Sequence, residues 1–212
     1  PIGISPALMM PTATPIDEMN KSDGITLSLP SPICYEDDMT GILCLGVVHN
    51  PYQAAFQDIQ VLVELFKPNG TLLTSQTTVL LQHTLPPRGS APYHIQLAQS
   101  AQDFGAVRVS VIKLTPLPQA ISPPNYTMRD VQNAQADNRY QVTGKLVGNQ
   151  ANSVGGIRMI ITLYDSYEHV AGYRVLEIPQ MPPREDLSFS FDFVPKIRGT
   201  DLRYTIYLEH MP

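Results

Sequence analysis

The chain has 212 residues, a formal net charge of −5, 43% hydrophobic residues, 20 prolines and no tryptophan. So many prolines argue against long helices, because each interior proline removes a hydrogen bond and clashes with the preceding turn. An acidic balance with no stripe of Lys and Arg argues against nucleic-acid binding, and no apolar run approaches the ~20 residues of a membrane-spanning helix.

Residues 1–24 are proline-rich and without periodicity, and read as a tether or stalk. The chain starts at Pro1 without an initiator Met, which suggests a signal or membrane anchor upstream. A first domain is expected over 25–114. Near its start, Cys34 and Cys44 flank Glu36-Asp37-Asp38-Met39-Thr40-Gly41, a turn-rich segment. A hairpin folded about Met39 sets Cys34 opposite Cys44, Ile33 opposite Leu45 and Tyr35 opposite Leu43. The last four are apolar and are expected to face the core, leaving the cysteines on the other face. Directly opposed Cβ atoms lie about 4.5–5.5 Å apart, within reach of the shorter disulfide distance for a close pair. The register therefore predicts a Cys34–Cys44 disulfide, with two unlinked thiols as the alternative.

The segment Ile42–Asn50 (ILCLGVVHN) reads as a strand. Asp58–Gly70 (DIQVLVELFKPNG) is a second, with Ile59, Val61, Val63 and Leu65 alternating onto one side. Leu85-Pro86-Pro87-Arg88 marks a turn before the aromatic strand Tyr93-His94-Ile95, and Val107, Val109 and Val111 close the domain. Gln99–Phe104 allows one helical turn. Thr115–Asn125 follows, with Pro116, Pro118, Pro123 and Pro124, and is expected to be an extended, stiff linker over 115–125.

From 126 to 212 the same order recurs. Gln141–Asn149 (QVTGKLVGN) matches the first strand and Gly156–Ser166 (GIRMIITLYDS) the second, with Ile157, Met159, Ile161 and Leu163 alternating. Leu163-Tyr164-Asp165 stands where Leu65-Phe66-Lys67 stands. Met181-Pro182-Pro183-Arg184 repeats the proline turn, Phe189, Phe191 and Phe193 form the aromatic strand, and Leu202, Tyr204, Ile206 and Leu208 the last one. A fixed-order repeat of short strands separated by turns reads as all-β: two tandem sandwiches joined by the proline-rich linker.

Residues that would carry chemistry are not arranged to do so. His49, His83, His94, His169 and His210 form no close metal-ligand pair and read as solvated polar positions. Glu36-Asp37-Asp38 lacks the spacing of a calcium loop, and Asp17-Glu18 and Glu185-Asp186 sit in polar surroundings. No Gly-x-Ser-x-Gly elbow or phosphate loop occurs. No catalytic residue, metal or cofactor is expected. Tyr164, Tyr167, Tyr173 and Tyr207 fall near turns or on the face opposite the expected core, where tyrosine supplies rigid contact area with a polar tip. They are the candidate interaction surface.

The strand-end Gly144 and Asn149, the Thr162-Leu163-Tyr164-Asp165 stretch and the hydrophobic-Pro-Pro turn resemble the bacterial FxLYD-type domains. Gly46, Asn50 and Glu64-Leu65-Phe66-Lys67 approximate the same pattern in the first copy. The resemblance covers roughly 30–114 and 128–209. The first copy departs at Lys67, and the second at Glu168-His169, where a turn glycine is usual. The resemblance implies an immunoglobulin-like fold on bacterial envelope or secreted proteins and no catalytic residues. The expected function is thus a non-catalytic, extracytoplasmic structural or protein-interaction module with a protein partner. The alternative is a sugar- or peptide-binding module acting through its loops or the groove between domains.

Overall fold

Alternating apolar residues need a partner sheet to bury them, and the computed structural model supplies one for each copy. It describes residues 24–37, 41–118, 126–136, 138–148, 156–180, 186–197 and 201–211. The chain is all-β and β-sandwich-like, dividing into two compact units, Pro1–Pro118 and Gln119–Pro212. The described residues hold no α-helix. The helical turn expected over Gln99–Phe104 is a 3₁₀ turn, Ala101–Asp103, capped by Ser100 Oγ, which accepts from the Gln102 N–H.

The first unit contains β1 (Ile33–Asp37), β2 (Gly41–His49), β3 (Ala55–Phe66), β4 (Leu72–Val79), β5 (Thr84–Leu85), β6 (Ser90–Leu97) and β7 (Ala106–Leu117). One sheet has the order β1-β2-β6. In the other, β3 pairs β4 and β5 on one side and β7 on the other. Ile42, Cys44, Val48, Tyr93, Ile95 and Leu97 of the first sheet bury against Ile59, Val61, Val63, Leu65 and Val111 of the second. Each such aliphatic side chain contributes about 1.5–3 kcal/mol on full burial. Before β1, Ser28 bridges His49 and Leu27 joins this core.

The second unit contains β8 (Tyr126–Ala136), β9 (Arg139–Gly148), β10 (Ile157–Tyr164), β11 (Val170–Ile178), β12 (Asp186–Phe193) and β13 (Arg203–His210). Its sheets are β8-β9-β12 and β11-β10-β13. They enclose Tyr140, Val142, Leu146, Phe189, Phe191 and Phe193 from one side, and Ile157, Met159, Ile161 and Leu163 from the other. The wiring repeats that of the first unit strand for strand, with β5 as an addition there.

Three local features recur with the wiring. Gly46 faces Tyr93 and Gly144 faces Phe189 across their strand pairs. A Cβ on Gly46 would lie 2.3 Å from the Tyr93 ring, and one on Gly144 2.6 Å from the Phe189 ring. Each glycine is the flat floor on which an inward aromatic lies. Register shifts between Leu65 and Phe66 on β3, and between Leu163 and Tyr164 on β10. The turns that follow close identically. The Lys67 and Asp165 N–H groups donate to the Thr71 and His169 carbonyls, at 2.8 and 3.0 Å. The fourth turn residue is left-handed in both, Gly70 at φ 81° and Glu168 at φ 68°. Glu168 therefore keeps the geometry that glycine supplies in the first copy, at a steric cost of about 1 kcal/mol.

Two expectations change. Cys34 pairs with Cys44, Ile33 with Leu45 and Tyr35 with Leu43 as expected, but the faces are exchanged. Cys44 is fully buried in the core beside Ile42 and Val48, while Leu45 and Val47 are buried on the opposite face of β2. Apolar residues occupy both faces of this strand, so hydrophobicity could not choose between them. The linker also opens later than Thr115: Thr115, Pro116 and Leu117 still pair with Gln57, Phe56 and Ala55. The remainder of 115–125, and residues 1–23 of the tether, lie outside or at the limit of the described residues.

Candidate functional site

Alternation along β10 sends Ile157, Met159, Ile161 and Leu163 into the core. Arg158, Ile160, Thr162 and Tyr164 therefore face away from it. Register places Glu177, Val175 and Tyr173 of β11 on their one side, and Glu209, Tyr207 and Thr205 of β13 on the other. Three of the four sequence-selected tyrosines, Tyr164, Tyr173 and Tyr207, thus share one sheet face. Tyr167 stands apart at the tip of the β10–β11 turn, 80% exposed.

The face is drier than an ordinary solvated sheet. Ile160, Thr162, Tyr164 and Glu209 are buried, and Tyr173 and Tyr207 half-buried. Tyr164 therefore offers no free contact area; its hydroxyl hydrogen-bonds the Thr205 and Thr162 side chains. Burial pushes the Tyr207 phenol up to about 12, helped by the nearby Glu209 carboxylate. Burial raises Tyr164 and Tyr173 as well. The phenols stay neutral and act as hydrogen-bonding, partly apolar surface. Below them runs a charged row, Glu177–Arg158–Glu209, in register across the three strands, with Arg158 Nε 3.7 Å from Glu177 Oε1.

The adjoining turn is organised by Asp165, itself buried. Its Oδ1 accepts from the Tyr167 and His169 N–H groups, both at 2.9 Å, and its Oδ2 lies 3.0 Å from His169 Nδ1. All of these bonds are used in closing the hairpin. Arg203 meets Glu168 at 2.9 Å with both side chains well exposed, a pairing of little energetic consequence. Sequence reading saw Asp165 as a motif residue but missed its partner His169. The i, i+4 spacing across a turn was the available signal.

Elsewhere the motif residues are structural. Asn50 is buried; its Nδ2 donates to the Ala54 and Pro86 carbonyls at 2.7 and 2.8 Å, and its Oδ1 accepts from the Tyr52 N–H at 2.9 Å. The strand-end asparagine and the Pro-Pro turn are thus two halves of one staple. Asn149 and the turn over 181–184 lie outside the described residues. His94 is half-buried on the outer face of β6, where burial lowers its imidazole pKa, so it is not a fully solvated position. No group of three or more His, Cys, Asp or Glu that could hold a metal occurs among the described residues. The described face presents hydrogen-bonding groups and partly apolar area.

No protein-family model and no curated protein matches the chain. Among solved structures, a calcium-binding mutant of Bacteroides uniformis β-glucuronidase 2 is similar at 13% identity and a TM-score of 0.35, over 89% of this chain and 27% of that one. A Bacteroides uniformis β-glucuronidase matches at 12% and 0.35, over 81% and 24%. A putative β-galactosidase from Bacteroides fragilis matches at 9% and 0.27, over 74% and 28%. The chain spans about a quarter of the length of these structures, and a likeness of this degree assigns it neither family nor activity.

Proposed function

We propose that the chain is a non-catalytic structural or protein-interaction module that works outside the cytoplasm. In this reading it is two tandem immunoglobulin-like domains of the FxLYD kind, joined by a proline-rich linker and carried on a bacterial envelope or secreted protein. One observation carries the reading: what the two copies hold in common is used to build the fold. The Gly–aromatic pairs, the bulges and the left-handed turns all serve strand geometry. The Cys34–Cys44 disulfide supports an oxidising compartment. The exposed Tyr167 and the half-buried Tyr173 and Tyr207 supply contact area for a protein partner.

Two measurements test this. Mass analysis of the native protein, after acid quenching and alkylation, should find Cys34 and Cys44 unalkylated until reductant is added; thiols labelled without reductant contradict the location. A photo-crosslinking residue at position 167, introduced into the protein in its own cells, should capture a protein. Capture of none, with saturable binding to a glycan array, would favour the sugar-binding alternative.

A further inference from the structure

The edges of these sheets are not equally protected. A sheet edge is a row of unpaired amides and carbonyls that templates another strand unless something blocks it. β7 carries Lys113, Pro116 and two register shifts. β8 is polar, with a shift between Arg129 and Gln132 and a left-handed Asp130. β6 contains Pro92. β11 meets a bulge, and β12 carries Asp186 and Asp192 and runs beside β11. β13 has none of these devices. It contains no proline or lysine and pairs with β10 over its whole length without a shift. Among the described residues no strand pairs with its other edge. Its inward side chains Tyr204, Ile206 and Leu208 are only partly buried against the core.

The β13 sequence, Arg-Tyr-Thr-Ile-Tyr-Leu-Glu-His, is also complementary to itself. Laid antiparallel on a copy of itself about a two-fold axis at Ile206, it sets Tyr204 opposite Leu208 and Ile206 opposite Ile206 on the core face. On the outer face Thr205 meets Tyr207, and Arg203 meets Glu209. Opposed residues of an antiparallel pair share a face, so each apolar residue meets an apolar one and each charge an opposite charge. The charged row then extends across the join as Glu177–Arg158–Glu209 of one copy followed by Arg203 of the other, with signs alternating throughout. We propose that the β13 edge is the docking surface for a second copy of this chain, the two β11-β10-β13 sheets joining into one six-stranded sheet. The interface is isologous, as two-fold symmetry requires. This inference does not rest on the functional reading above.

Sedimentation equilibrium of the full 212-residue chain, from micromolar to near-millimolar concentration, tests it. The expected result is a reversible monomer–dimer equilibrium. Arg203→Glu places like charges opposite one another at two symmetry-related points. Thr205→Lys puts an edge-guarding lysine at the centre of the pairing. Each should weaken the dimer about tenfold or more. Both side chains are exposed, and each gives up one contact within its own copy, Arg203 with Glu168 and Thr205 with the Tyr164 hydroxyl, so circular dichroism should be unchanged and the melting temperature lowered by no more than a few degrees. A chain that stays monomeric throughout, or a dimer whose dissociation constant ignores both substitutions, overturns the proposal. If only a foreign extended peptide binds the β13 edge while the chain remains monomeric, the edge is a strand acceptor and the self-pairing is wrong.

Discussion

Asn50 shows what a single polar residue does in a sandwich of this size. Its amide ties the end of β2 to the loop at Ala54 and to the Pro86 carbonyl, 36 residues further on. Each hydrogen bond is worth about 1 kcal/mol net, and removing the side chain also strands its partners, so Asn50→Ala should lower unfolding stability by about 2–3 kcal/mol in urea denaturation. His94 makes a prediction in pH. Burial lowers its pKa from 6.5, so as pH falls the unfolded chain takes up this proton before the folded one does. Stability from this residue is fully present above about 6.5 and is lost below it, as pH falls through the lower folded value. The urea midpoint should drop between about pH 7.5 and about pH 5.5, and His94→Gln should reduce that drop. The sequence revealed Asn50 and Pro86 separately, as motif residues, but their meeting depends on tertiary folding. The reading of His94 as solvated failed because an outward residue on a strand can still be covered.

Strands and turns were the most legible scale. Alternation identified both core faces of β3 and β10, and the matched Leu-Phe-Lys and Leu-Tyr-Asp triplets fall on matched bulges. The Cys34–Cys44 register was readable because a short hairpin fixes which residues oppose one another. Which side of β2 faced inward was not, since Ile42, Leu43, Leu45, Val47 and Val48 are apolar on both. The glycine–aromatic pairs give the sharpest test here. Tyr93 is fully buried and Phe189 nearly so, so neither ring has room to withdraw from a new methyl group. Gly46→Ala and Gly144→Ala should each cost about 1–3 kcal/mol by calorimetry. The disulfide closes a ten-residue separation, and replacing both cysteines by alanine should cost about 2–3 kcal/mol in chemical denaturation. The candidate face was legible in part. The sequence put Tyr164, Tyr167, Tyr173 and Tyr207 near turns or on the face opposite the expected core, but the face that three of them share, the depth of Tyr164 and the charged row depended on strand order, which alternation does not encode.

For the whole molecule, repetition in the sequence carried the furthest. Two stretches with the same order of strand, turn and aromatic strand gave two cores with the same wiring. What the repeat left hidden is where the copies differ. β1 is short and covalently tied, whereas β8 is more than twice as long and is held without a disulfide, by pairing with β9 and by the packing of Tyr126 and Val131 against the core. No helix among the described residues is long and apolar enough to cross a membrane. The central claim is that two separate cores fold, only one of them stapled by a disulfide. Differential scanning calorimetry of the intact chain, with and without a dithiol reductant, tests it most directly. Two transitions, of which reductant lowers only one, is the predicted result; a single transition that reductant lowers as a whole would contradict it.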